Sequence, residues 1–328
     1  MQFQGKLPIG VIYNTSMDRP DAALALALLY GLEGKRESRV GSVCITGSGL
    51  GAAAFCDAVS TFYHPGPPRN ANQALPVGLA LETPMPPDSP MVRAVVDRPD
   101  FPRTVKKVSD TSLAEAVLRN GVIFNAEALM VLSGPATNLA KSLDLLDVPA
   151  LYKSRVKTLV VVDSGQPTKD IAAMRRILAE WPTPVVFCGR EVGDAVPYTA
   201  ASIAKDLAWS QAHPVVEAWK ASGGKDVPSM DMAAILYAVR RDKDLFTLSE
   251  PGRLALDDSG RFQFTPGGDG KVRSLAAPEE KKPAILAAYS ELAAAKPAAP
   301  QQRFRPPAAA AAAGAATPPP AQVPQKKP

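Results

Sequence analysis

The acidic side chains that could do chemistry lie in two places far apart in the chain. The first is the loop Asn14-Thr15-Ser16-Met17-Asp18-Arg19-Pro20-Asp21, and the second is Asp231 in Ser229-Met230-Asp231-Met232. Carboxylates that converge from separate segments can hold a hard divalent cation, which takes several oxygen ligands at once. Such an ion orients and deprotonates a water. Between these segments, Ser133-Gly134-Pro135-Ala136-Thr137-Asn138 follows an apolar run and offers the Ser133 carbonyl and nearby backbone N–H groups. Each piece also has a plainer reading. An aspartate at a helix start is commonly a cap or a partner of the helix dipole. Ser133–Asn138 also reads as an ordinary turn with a Thr or Asn cap.

Other chemistries find little support. His64 and His213 are the only histidines. Each precedes a proline at a segment boundary, without a visible partner, so neither reads as a general base. Gly47-Ser48-Gly49-Leu50-Gly51 is a weak match to a phosphate-cradling turn. The three cysteines, Cys44, Cys56 and Cys188, have no paired spacing and read as small buried hydrophobes.

These residues need a scaffold, and the hydrophobic pattern supplies one. Ile9–Tyr13 reads as a buried strand and Pro20–Leu32 as a helix with proline in its first turn. Gly41–Thr46 is the next strand, Leu50–Tyr63 a helix ended by His64-Pro65-Gly66-Pro67-Pro68, and Leu75–Leu81 a short strand. Glu82–Val108 reads as a long loop, and Asp110-Thr111-Ser112 as the cap of a helix over Leu113–Asn120. The alternation continues with strand Ala128–Leu132, helix Thr137–Leu146, strand Thr158–Asp163, helix Asp170–Trp181 and strand Pro184–Cys188. Helices follow at Thr199–Trp209, Pro214–Ala221 and Met230–Val239, and Asp258-Ser259-Gly260 marks a late hairpin. Repeated strand–helix units predict an α/β domain over 1–295, a mostly parallel central sheet flanked by helices. From 296 to 328 the chain is Ala/Pro low complexity, which predicts a disordered tail.

The formal charge of +5 is spread over scattered basic pairs without interleaved aromatics, which argues against a nucleic-acid partner. Ala22–Tyr30 is too short to span a bilayer. Met1–Lys6 carries no apolar core of a signal peptide, so the cytoplasm is the default expectation, and a leader trimmed from the chain is compatible with it. A homo-oligomer is left open.

Four segments, in order, resemble the inosine/uridine-preferring nucleoside hydrolase family. VIYNTSMDRPDAALALALL is similar to the family's first-strand loop, DTDxGxDxDDALAL, slightly shortened. ALMVLSGPATNLAKSL resembles its strand–GPLTN–helix piece, DIAAMRRILAEWPTPVVFCGREVG its later helix–strand step, and SMDMAAILYAVRRDKDLFTL its distal metal-binding segment. The resemblance implies a nucleoside hydrolase-like fold, a nucleoside or sugar as small-molecule partner, and calcium held by Asp21, Asp231 and the Ser133 carbonyl. It implies hydrolysis of an N-glycosidic bond by calcium-bound water. The departures are specific. Ser16 stands where the family has the aspartate that acts as base, Asn14 replaces the first aspartate of the triplet, and Pro20 replaces a ribose-binding carboxylate. Asn14 and Ser16 are then the candidate substrate contacts, and Asp18 and Asp21 the candidate catalytic carboxylates, with Asp18 as substitute base. Ser48-Gly49-Leu50 has no match to the family's ribose-contacting Asn, and Ser164–Lys169 lacks its Glu-Phe-Asn loop. Two functions follow: a nucleosidase with a depleted calcium and ribose site, or a catalytically inactive homologue that binds a nucleoside, a sugar or a protein.

Overall fold

In the computed structural model the described residues are 8–65, 75–81, 85 and 87–297. The chain begins β1 (Ile9–Thr15), α1 (Pro20–Gly34), β2 (Ser38–Ile45), α2 (Leu50–Tyr63), β3 (Val77–Leu79), α3 (Pro90–Val96), β4 (Ser112–Leu113) and α4 (Ala114–Ile123). It continues through β5 (Ala128–Ser133), α5 (Thr137–Ser142), α6 (Val148–Arg155), β6 (Val156–Val162), α7 (Ile171–Glu180), β7 (Val185–Cys188) and α8 (Arg190–Ala195). The last part holds α9 (Ala200–Asp206), α10 (Pro214–Ala221), α11 (Met230–Arg240), β8 (Thr247–Leu248), β9 (Gly252–Leu256), β10 (Phe262–Pro266), β11 (Val272–Ala276) and α12 (Lys282–Ala293).

The strands form one sheet in the order β10-β9-β11-β7-β6-β5-β1-β2-β3-β4, with β8 on β11. From β4 across to β11 every neighbouring pair is parallel; β8, β9 and β10 add antiparallel pairing at the other edge. The chain builds outward from β1 through β2, β3 and β4, then returns to the other side of β1 with β5. The strand order therefore reverses between β1 and β5, and the crevice at the carboxyl ends there is where open α/β sheets hold ligands.

Side-chain alternation along the central strands sorts the core into two layers. Val11 and Tyr13 face the layer of α1, α2, α10, α11 and α12, and Ile12 faces that of α4, α5, α6 and α7. Helix α1 is buried from Asp21 to Leu32, because the sheet, α10, α11 and α12 enclose it. A helix apolar all round demands such enclosure. At Gly31 a Cβ would meet the Leu292 carbonyl at 2.3 Å, so glycine there sets the approach of α12. Beside α1, Phe62, Tyr63, Trp209 and His213 pack as an aromatic cluster. His213 is buried; its Nδ1 accepts from Val215 N–H at 3.2 Å, capping α10, and its Nε2 lies 3.0 Å from the Tyr63 hydroxyl. His64 instead pairs with Glu33 at 3.0 Å.

Several boundaries differ from the sequence reading. The stretch 82–108 contains α3, a short helix started by Ser89, whose hydroxyl accepts from Val92 N–H at 3.3 Å. Asp110 does not cap α4; its carboxylate takes the N–H groups of Lys106 and Lys107 at 2.9 and 3.0 Å. Helix α5 stops at Ser142, and α6 starts with Pro149 in its first turn. The expected tail lies outside the described residues, except for its first two positions. No helix among the described residues is long and apolar enough to cross a membrane.

Candidate functional site

Strand β1 delivers the first loop to the crevice. Met17 N–H donates to Thr15 Oγ1 at 3.1 Å, and Met17 takes a positive φ of 51°. A left-handed turn at a side chain of this size is uncommon and needs an anchor. The anchor is burial, since Met17 is 0% exposed. Beyond the turn, Asp18 and Arg19 both line the crevice, with an Arg19 terminal nitrogen 3.6 Å from Asp18 Oδ1. Asp18 is half-exposed and accepts from the Ser16 hydroxyl at 2.6 Å. Arg19 points inward, because the following Pro20 holds it extended, at φ −128° and ψ 148°.

Behind the loop, β1, β5, α1 and α11 bring the expected acidic residues together. Asp21 is buried in the first turn of α1 and accepts from the N–H groups of Asp231 at 2.7 Å and Met232 at 3.3 Å. It thus caps α11 from another helix, where Ser229 gives no side-chain cap of its own. Asp231 is 0% exposed. One of its oxygens accepts from the Tyr13 hydroxyl, both are within 2.8 Å of Ser133 Oγ, and Oδ1 accepts from an Arg19 terminal nitrogen at 3.0 Å. The same Arg19 nitrogen donates to Ser133 Oγ at 3.0 Å. The Ser133 carbonyl accepts from Ser16 N–H at 3.0 Å, fastening the two loops of the crevice.

Electrostatics follow from this packing. Burial pushes the Asp21 carboxyl well above the usual carboxylate range, and nearby Asp231 pushes it further; the two N–H bonds and Arg19 oppose the rise. Burial and Asp231 likewise raise the Tyr13 phenol. Burial disfavours the Arg19 charge, but Asp231, Asp18 and Asp21 outweigh that and hold the guanidinium charged. At the end of β6, burial also raises Asp163, which lies within electrostatic reach of Arg19.

Not every expected contact reaches the crevice. Ser16 and Asp18 line it, whereas Asn14 turns to the α5 side, buried, where its Oδ1 accepts from Asn138 Nδ2 at 3.2 Å. Among the described residues Asn14 Nδ2, Thr46 Oγ1 and Asn138 Oδ1 are buried polar atoms without a partner. The crevice opens into a cleft of about 740 Å³. Ser16, Asp18 and Arg19 form its polar floor beside Gly47 and Gly134. Gly134 has a φ of 135°, and a Cβ there would sit 3.0 Å from Ser16 N. Val162, Met174, Phe262, Pro135 and Pro167 give an apolar wall, and Ser164, Gln166, Thr168 and Lys169 a polar lip. The lip is tied to the β9–β10 turn by Thr168 N–H, which donates to the Gly260 carbonyl at 2.9 Å. Arg19, Tyr13 and the Phe262 wall are absent from the sequence reading; a cation beside a proline inside an acidic loop was the one available signal.

No protein-family model matches the chain, and no curated protein sequence does. Solved structures match over nearly the whole domain. An inosine-uridine preferring nucleoside hydrolase from Bacillus anthracis superposes with a TM-score of 0.64 at 14% identity, covering 87% of this chain and 99% of that one. The plant nucleoside hydrolase PpNRh1 gives 0.63 at 15%, covering 88% and 99%. The type III effector XopQ, complexed with adenosine diphosphate ribose, gives 0.58 at 14%, covering 88% and 94%. The parallel sheet, its switch point after β1 and these superpositions agree: the chain has a nucleoside hydrolase-like fold.

Proposed function

We propose that this protein binds a nucleoside or a related ribosylated small molecule in the cleft without cleaving it. One observation carries the reading. The position expected to deprotonate water is Ser16, and its hydroxyl donates to Asp18 at 2.6 Å. A serine hydroxyl has no proton affinity suited to general-base work at neutral pH. The cleft supports the ligand class: a polar floor suits sugar hydroxyls, and Phe262, Met174 and the two prolines suit a flat ring. The likeness to XopQ, complexed with adenosine diphosphate ribose, points to the same ligand chemistry.

A second reading rests on Asp18, which is half-exposed on the cleft floor. Here its carboxylate takes a proton from water, the water oxygen attacks the anomeric carbon, the N-glycosidic bond breaks, and the proton held by Asp18 passes to the departing base through solvent, which regenerates the carboxylate. Calorimetry against a nucleoside and ADP-ribose panel, run beside a chromatographic base-release assay, separates the two. Binding without release supports the first reading. Release that Asp18→Asn abolishes replaces it with the second. Neither binding nor release overturns both.

A further inference from the structure

The resemblance implies a calcium ion at Asp21, Asp231 and the Ser133 carbonyl, and the geometry of those donors argues against one. Calcium needs six to eight oxygens directed at a single centre at roughly 2.3–2.6 Å. Here Asp21 directs its oxygens at the first N–H groups of α11. Asp231 is engaged by Tyr13, Ser133 and Arg19. The Ser133 carbonyl receives Ser16 N–H. Among the described residues, no three acidic, histidine or cysteine side chains converge on one point. Against the hydrogen-bonded pair of Asp231 and the Ser133 hydroxyl lies a terminal nitrogen of Arg19, 3.0 Å from Asp231 Oδ1 and 3.0 Å from Ser133 Oγ.

We infer that the Arg19 guanidinium is the resident cation of this site, a covalently attached charge that serves in place of calcium. Its planar fork reaches two acceptors with one nitrogen, while its other terminal nitrogen lies 3.6 Å from Asp18. Position 20 contributes to the same end. Where the related loop carries a carboxylate, Pro20 carries none and instead fixes the extended backbone that sends Arg19 inward. With no acid at position 20 and a cation at position 19, the buried carboxylates are compensated. Arg19 therefore acts as a positioning residue toward Asp231, and this assignment stands whichever ligand the cleft takes.

The test uses the full chain and two probes, calcium by calorimetry and terbium by luminescence sensitised through Tyr13. The wild-type protein gives no saturable uptake at millimolar calcium, and its melting temperature is the same in calcium and in chelator. Arg19→Ala melts lower in chelator, recovers in calcium, and gains at least tenfold in terbium affinity. Arg19→Lys keeps a cation and stays insensitive. Should Arg19→Ala fail to fold, Arg19→Met/Asp231→Asn, which removes both charges, folds and melts above either single variant. Tight calcium binding by the wild type that Asp231→Asn abolishes overturns the inference. So does a folded Arg19→Ala that takes up neither ion, or a double variant no more stable than its parents.

Discussion

Asp231 is the residue on which the acidic centre turns. It is fully buried and holds Tyr13, Ser133 and Arg19 together. Asp231→Asn keeps the shape but leaves Arg19 beside a neutral amide. Removing one partner of a buried ion pair costs about 3–5 kcal/mol. Because Arg19 keeps 23% of its side chain exposed, the expected loss is smaller, about 2–4 kcal/mol by urea denaturation. His213 makes a second residue-scale prediction. Burial lowers its pKa from 6.5 to about 3, so the unfolded chain binds a proton that the folded chain refuses. Its contribution is therefore complete above pH 6.5 and is lost as pH falls toward 3. At about pH 4.5 the cost is about 3 kcal/mol relative to neutral pH. Denaturation at both pH values, compared with His213→Gln, should show this dependence in the wild type and a shallower one in the variant. An equal slope in the two would remove His213 as its source.

At the scale of elements, α1 and α11 are held by a cap that crosses between them. Asp21→Ala removes the acceptor for two buried N–H groups, with an expected cost of about 2–3 kcal/mol. Hydrogen exchange reads it locally: the amides of Asp231 and Met232 should lose protection before the rest of α11, and uniform loss along the helix would contradict the cap. Gly134→Ala tests the other junction. Its positive φ and the nearby Ser16 backbone predict about 1–3 kcal/mol of destabilisation and a shift of the loop on the cleft floor, followed by the Ser16 amide resonance. The elements themselves were largely legible in the sequence. β1, α2 and α10 stand out because an apolar run is bracketed by clear breakers or a proline start. α3 was hidden because it is only 7 residues long and flanked by prolines and charges. The late β11 and α12 gave too little periodicity to stand out against their surroundings. Asp18 and Asp21 were legible as candidates from their loop alone, and Ser16 only through the family resemblance. The role of Arg19 was not, because its partner Asp231 lies 212 residues away and only the tertiary fold joins them.

On the scale of the whole molecule, the switch point between β1 and β5 lies at a cleft lined by both polar residues, among them Ser16, Asp18 and Arg19, and apolar ones, among them Phe262 and Met174. Phe262 packs against Phe187, with ring centroids 5.4 Å apart. Phe262→Ala should weaken binding of an aromatic nucleoside by about 1–1.5 kcal/mol, while a free pentose loses much less. Calorimetry with both ligands measures the difference, and equal losses would place the ring elsewhere.

The cap of α11 by Asp21 also has a consequence in time. During synthesis β1 and α1 emerge first, and α11 follows some two hundred residues later. Until it arrives, Asp21 has no helix end to cap, and Arg19 and Tyr13 lack their shared carboxylate. The central strand of the sheet thus remains tied to an unfinished acidic centre for most of translation. A chain cut before α11 would present that centre open, so the same contacts that shape the cleft also report that the polypeptide has been made through to its last third.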